Sequence, residues 1–228
     1  ITRAYHRPMY DRRYDGLLLD HDGVLVTLCS RSTLRAAARE AFADVGVDRP
    51  PTADVDAITI RVSPTELRSV AGRHALDPGR LWRAREDRIE AALRSAVETG
   101  EKVPYDDVAC LESVSVPLGV VSNNQQRIVE HVLEAHGLDH LFETVHARPP
   151  TLASLEDKKP APTYLEAAAG RLGCSNPLFV GDSDTDVVAG RRAGFGTALL
   201  RRPHNADRDL DVDPTVDASS LDDVVAEL

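Results

Sequence analysis

The chain has 228 residues, 42% hydrophobic and 28% charged, a balance that excludes a disordered chain and is ample for a closed core. Its net charge of −10 argues against nucleic acid or an anionic membrane surface as the main partner. No apolar stretch approaches the roughly 20 residues that a membrane-spanning helix needs.

The basic opening, "ITRAYHRPMYDRRYDG", has no apolar h-region behind it and does not read as a secretory signal. An apolar run at 16–19 is predicted as a first buried strand, and "LLLDHDGVL" ends it on Asp20 and Asp22. A largely helical region follows. In "SRSTLRAAAREAFADVG" the residues Leu34, Ala38, Ala41, Phe42 and Val45 recur at helical spacing, with serines before them and Gly46 as a stop. "VSPTELRSVAGRHAL" predicts a second helix. "DPGRLWRAREDRIEAALRSAVETG" predicts a third, with Asp77 as N-cap, Pro78 at its first position and Gly100 closing it.

From about 104 short β runs alternate with helices: "PLGVVS" before "NNQQRIVEHVLEAHG", "FETVHA" before "APTYLEAAAGRLG", and "PLFVG" before "DTDVVAGRRAG". "GTALLR" then leads into a polar stretch, 203–214, predicted as an exposed loop, and "SSLDDVVAEL" makes a final helix. This alternation predicts an α/β fold with a doubly wound, Rossmann-like parallel sheet. Ligands of such sheets sit beyond the carboxyl ends of the strands.

Cys29, Cys110 and Cys174 are odd in number and form no CxxC pair, which suits reduced thiols in a cytoplasmic protein. Lys102, Lys158 and Lys159 are the only lysines, leaving 24 arginines among 27 basic residues, while 24 Asp stand against 13 Glu. Few lysines and many aspartates suit a halophile's cytoplasm, where screening weakens self-repulsion, although a GC-rich genome produces the same bias. In such a chain every lysine invites a question.

Four segments deliver polar groups to one rim of the predicted sheet. Asp20 and Asp22 follow the first strand, Ser122 and Asn123 follow "PLGVV", Asp182, Asp184 and Asp186 follow "PLFVG", and Lys158 and Lys159 precede "APTYLEAAAG". Carboxylates from two strand ends, without a Cys or His ligand pair, suit a hard cation such as Mg²⁺. A phosphate ester beside it needs a hydroxyl, backbone N–H groups and a cation, which Ser122 and a lysine can supply. Asp20 can then attack phosphorus to give an aspartyl-phosphate. Asp22 can protonate the leaving oxygen and later deprotonate water.

"DHDGVL", "VVSNN", "KKPAPTYL" and "FVGDSDTDVVAGRRAG" resemble, in order, the four motifs of the haloacid dehalogenase-like hydrolase superfamily, over about 14–25 and 104–200. The resemblance implies Asp20 as nucleophile and Asp22 as general acid/base, whose backbone carbonyl also meets Mg²⁺. It further implies that Ser122 binds the phosphoryl group with Asn123 beside it, and that Lys159, or Lys158 in its place, is the family lysine. Asp182 is then a metal ligand, and Asp186 its partner at the family's four-residue spacing. Residues 26–103 resemble the helical cap of phosphoglycolate phosphatase-like and β-phosphoglucomutase-like members, inserted into a core of 1–25 and 104–228.

The resemblance thus implies a Mg²⁺-dependent phosphatase acting on a small phosphorylated metabolite, with neither nucleic acid nor a membrane as partner. A phosphomutase on the same site and a non-catalytic binding module are the alternatives. An acid at Asp22 favours phosphate chemistry over dehalogenation, since dehalogenases of the superfamily lack it. Thr27-Leu28 stands where the family's common "DxDGTLxDS" form carries Asp-Ser.

Each element also has a plainer reading. Asp20 and Asp22 could end a strand in a turn closed by Gly23, and Ser122 could cap the following helix. Lys158 and Lys159 could be a solvated pair, and Asp182 and Asp186 acids in a helix's first turn, where Asp184 is left. His21 alternates to the other face from its acidic neighbours and reads as a residue that packs the core or supports the site residues from behind. Trp82, Ile89 and Leu93 form a helical core stripe. Gly194 in "GFGTAL" is a helix stop, not part of a dinucleotide loop.

Overall fold

A computed structural model describes residues 13–228; most of the basic opening therefore lies outside the described residues. Strand β1, Gly16–Leu19, is buried along its whole length. It has apolar side chains on both faces because both faces are covered. Leu17 and Leu19 pack with Ile128 and Val132, whereas Leu18 packs on the other side with Leu165, Phe179 and Ala189. Each buried Leu contributes about 1.5–3 kcal/mol relative to exposure, so register along this strand is strongly specified.

Five further strands complete one parallel sheet: β2 (Leu118–Gln125), β3 (Thr144–Arg148), β4 (Pro177–Gly181), β5 (Gly196–Leu200) and β6 (Val216–Ala218). Their order is β3-β2-β1-β4-β5-β6, with Leu17 opposite both Leu118 and Leu178. The order reverses between β1 and β4, which is where such sheets leave a crevice for ligands.

Between β1 and β2 the chain inserts four helices: α1 (Arg31–Asp44), α2 (Thr52–Thr59), α3 (Pro64–Arg73) and α4 (Pro78–Glu98). Side chains cap three of them at their N-termini, since Ser30, Ser63 and Asp77 accept from the amides of Thr33, Glu66 and Arg80. Helix α2, which the sequence periodicity does not separate from its surroundings, is held by Val55 and Ile58 one turn apart. These helices share an apolar cluster of their own, including Phe42, Ile58, Leu67, Leu81 and Trp82.

A buried polar knot ties the inserted helices to the sheet. Glu86, 1% exposed, accepts from Arg85 Nη1 at 2.5 Å and Arg148 Nη2 at 2.6 Å. Both guanidiniums lie over the Trp82 ring, at 5.1 and 4.9 Å. Gln125 Nε2 donates to the Glu86 carbonyl at 2.9 Å. Lys158 Nζ donates to the Val62 carbonyl at 2.6 Å, and burial among these arginines pushes its pKa down to about 8.

After β2 come α5 (Gln126–Ala135), α6 (Thr163–Leu172), α7 (Asp184–Ala193) and α8 (Leu221–Val225). Two expectations change. The helix predicted from Asn123 begins three residues later, at Gln126. Ser122 Oγ accepts from Asn124 N at 3.1 Å and Asn124 Oδ1 from Gln125 N at 2.8 Å, so local side chains satisfy amides that a helix would otherwise have to cap. Ser122 is therefore not a helix cap. The stretch 203–214 is irregular as predicted, but part of it is folded inward: Asn205 Nδ2 donates to the carbonyls of Asp182 at 2.7 Å and Leu200 at 3.0 Å.

Candidate active site

Two glycines let the acidic strand ends converge. Past β1 the chain stays tied to the sheet, with Asp20 N donating to the Val180 carbonyl at 2.8 Å. Gly23 then turns with φ +81°, and a Cβ there would lie 2.1 Å from Asp182 Oδ2. At the end of β4, a Cβ on Gly181 would fall 2.1 Å from the Cβ of Asp186. Only residues without side chains allow this approach.

The result is a cluster in which ligand oxygens of Asp20, Asp182 and Asp186 lie within 4.8 Å of one another. Lys159 Nζ stands between two of them, 2.8 Å from Asp20 Oδ1 and 2.8 Å from Asp186 Oδ1, and donates to the Val121 carbonyl at 3.3 Å. Asn123 holds Lys159 by its peptide: Oδ1 accepts from Lys159 N at 2.7 Å and Nδ2 donates to Lys159 O at 3.1 Å. Of the two adjacent lysines, Lys159 is the one that reaches the acids; Lys158 turns to the inserted helices. Ser122, 2% exposed, follows Val121 on β2, the residue whose carbonyl Lys159 Nζ meets.

The electrostatics follow from burial and like charge. Burial raises the Asp20 pKa well above the usual carboxylate range; Lys159 opposes the shift, and Asp186 and Asp182 add to it. Asp182 is raised for the same first reason, against a contact of 2.6 Å from His204 Nε2. Lys159 is held above the ordinary lysine value, since its two carboxylates outweigh its burial. Three carboxylates thus face one ammonium. An oxygen-only donor set with two negative charges in excess fits a hard divalent cation.

Asp22 has separate partners. Its Oδ1 accepts from Lys102 Nζ, its Oδ2 from Asn124 Nδ2 at 2.9 Å, and His21 Nδ1 lies 3.3 Å from Oδ2. Burial opposes ionisation here, yet Lys102 and His21 hold the carboxyl well below the usual range. His21 is fully buried, but its ring reaches the Asp22 carboxylate where strict alternation would turn it to the other face. Lys102, Asn124 and His204 are the residues that motif reasoning does not assign. Lysine scarcity flags Lys102, and Asn124 stands in the quoted "VVSNN"; no local pattern points to His204.

A parallel sheet whose strand ends bring four acids and a buried lysine to one crevice has the groups that displacement at phosphate calls for. A family model described as haloacid dehalogenase-like hydrolase matches residues 17–200. The chain belongs to that family. Fructose-1-phosphate phosphatase YqaB of Escherichia coli (strain K12) is 30% identical to it over 200 residues, covering 85% of this chain and 99% of that one. A phosphoglycolate phosphatase of Synechococcus elongatus is 31% identical over 181 residues, 78% of this chain and 80% of its own.

Among solved structures, CbbY from Rhodobacter sphaeroides in complex with phosphate is similar with a TM-score of 0.66 at 20% identity, over 90% of this chain and 92% of that chain. A β-phosphoglucomutase from Clostridium difficile gives 0.64 at 16%, over 93% and 96%. At these identities the structural likeness carries the fold alone.

Proposed function

We propose that the protein is a Mg²⁺-dependent phosphatase that hydrolyses a small phosphorylated metabolite through an aspartyl-phosphate on Asp20. The chain is a phosphoric monoester hydrolase of the haloacid dehalogenase-like type. The observation that carries the finer reading is the bridge of Lys159 Nζ between Asp20 and Asp186, 2.8 Å from each, with Asp182 completing the acidic cluster. It sets a buried nucleophile beside a fixed cation and beside acids that need another one.

Asp20, Asp182 and Asp186 would hold Mg²⁺, together with the Asp22 carbonyl that the family resemblance assigns. When bound, the ion supplies partial neutralisation of the phosphoryl oxygens. Asp20 attacks phosphorus, and Ser122 and Lys159 bind the phosphoryl oxygens. Asn123 serves the substrate through its grip on the Lys159 peptide. Asp22 gives a proton to the leaving oxygen and takes one from the water that cleaves the acyl phosphate. The helices of 31–98 act as a cap that excludes water and selects the leaving group. The three cysteines, each free in the structure, suit a cytoplasmic setting. No helix among the described residues is long and apolar enough to cross a membrane.

The test is phosphate release from p-nitrophenyl phosphate and a panel including fructose 1-phosphate and phosphoglycolate, with Mg²⁺. Turnover is expected to vanish in Asp20→Asn and on chelation, and to return with Mg²⁺. Turnover retained in Asp20→Asn removes the nucleophile, and indifference to chelation removes the metal. Isomerised sugar phosphate without released phosphate would make the protein a mutase instead.

A further inference from the structure

The irregular stretch after β5 meets the acidic cluster from outside, and no motif accounts for it. Its sequence, "RRPHNADRD" at 201–209, folds on itself through local polar groups. Asn205 N donates to the Arg202 carbonyl at 3.0 Å, and Arg202 N donates to Asn205 Oδ1 at 2.6 Å. Arg201 Nη1 donates to the carbonyls of Asn205 at 3.3 Å and Arg208 at 2.7 Å. Asn205, buried under this turn, fixes its shape.

The turn is clasped to the chain that follows β4. Asn205 Nδ2 holds the Asp182 carbonyl, Arg208 Nη2 donates to Asp184 Oδ2 at 2.9 Å, and Asp211 N to Asp184 Oδ1 at 3.0 Å. Between these ties stands His204, whose Nε2 lies 2.6 Å from Asp182 Oδ2. An ionised carboxylate can only accept, so the imidazole N–H donates. The ring also borders Gly23: a Cβ there would lie 2.1 Å from Asp182 Oδ2 and 3.1 Å from His204 Cε1. Oδ2 is thus held between an imidazole and the turn at Gly23. Asp182 Oδ1 has no hydrogen-bond partner among the described residues.

This difference between the two oxygens bears on which cation fits. Mg²⁺ takes about six donors in near-octahedral geometry and keeps several waters, whereas Ca²⁺ takes about 6–8 oxygens in a looser shell that admits bidentate carboxylates. A carboxylate with one oxygen already engaged offers a single donor and resists bidentate coordination. Hydrogen-bond partners of a ligating group are worth about 10–100-fold in metal affinity.

We infer that His204 is a positioning residue for the cation site: by engaging Asp182 Oδ2 it leaves one oxygen for the ion and makes the site select Mg²⁺ over Ca²⁺. This rests on the reading in which Asp20, Asp182 and Asp186 hold Mg²⁺. His204 acts through Asp182 and is not itself a ligand, and no bond to it forms or breaks during the reaction.

The test reads binding, not turnover. Mn²⁺ bound to the full chain is followed by electron paramagnetic resonance, and Mg²⁺ or Ca²⁺ is titrated in to displace it. Asp186→Asn supplies the background of Mn²⁺ held elsewhere on an acidic protein. The quantity read is the Ca²⁺ dissociation constant divided by that of Mg²⁺. In His204→Phe, which keeps a ring and removes the donor, this ratio is expected to fall at least about tenfold. His204→Gln, which restores a donor, should bring back part of it. The His204 side chain is 27% exposed, so neither change empties a core; if His204→Phe does not fold, His204→Ala is read in the same way.

An unchanged ratio overturns the proposal, whether both affinities hold or both fall together, because a residue that only steadies the loop weakens both ions alike. Failure of the underlying reading looks different: the unaltered protein then binds no more Mn²⁺ than Asp186→Asn does, and the proposal falls with it.

Discussion

Gly23 carries two constraints at once, a positive φ and a Cβ position inside Asp182. A non-glycine residue in that conformation costs about 1–3 kcal/mol before the clash is counted. Gly23→Ala is therefore expected to lower the thermal unfolding midpoint and to cut turnover at least about tenfold, because Asp182 must move. Unchanged turnover would show that Asp182 tolerates displacement. At this scale, the residues legible in the sequence are those next to strand ends. Asp20, Asp22, Asp182 and Asp186 each follow a recognisable apolar run, and Lys159 stands before a proline. Lys102 and His204 were not legible as partners, because their contacts cross 80 and 22 residues. No local periodicity encodes such a pairing.

Helix α4 meets the sheet through Glu86, which is shared by Arg85 and Arg148. Removing one charge from a buried pair leaves its partner uncompensated, at a cost of about 3–5 kcal/mol. Glu86→Gln should lose about that much stability in urea unfolding. A loss below about 1 kcal/mol, the usual worth of an exposed pair, would show the knot to be solvated.

The joint between α2 and α3 offers a pH test. Asp54 accepts from Arg73 Nε at 3.0 Å and lies 2.7 Å from His74 Nε2. Its pKa is lowered, first by the Arg73 hydrogen bond, with burial opposing and His74 adding. The unfolded carboxyl binds its proton at higher pH than the folded one. The contribution is thus present above about pH 3.9 and is lost as pH falls through the lower folded value. The stability gap between the protein and Asp54→Asn should narrow as pH falls below about 4; a constant gap would mean the ion pair is not its source. In the sequence α2 was hidden, because a short helix with two buried apolar residues has too little period to separate it from a helical neighbourhood.

Across the whole molecule, acidic excess is the feature that pairwise contacts do not explain. A net charge of −10 repels itself, and salt screens that repulsion. The unfolding midpoint is expected to rise between 0.1 M and 2 M KCl, concentrations chosen on either side of strong screening. A midpoint that does not rise assigns the composition to codon bias. The parallel sheet itself was legible, because buried strands alternating with amphipathic helices admit few other architectures. The inward turn at Asn205 was not. Its polar residues match a solvated loop until the carbonyls they meet, at Asp182 and Leu200, are in place.

The position of β1 also governs when the molecule can become active. Its two neighbours are β2 and β4, whose paired residues lie about 100 and 160 positions further along the chain. Contacts across such separations form late and slowly, whereas the inserted helices pair largely with one another. During synthesis, the helices can therefore assemble while Asp20 still lacks a sheet to hold it. The Asp20 carboxyl takes its place only after residues 177–181 have emerged and closed on β1, so a nascent chain stopped short of β4 lacks the strand end that completes the acidic cluster.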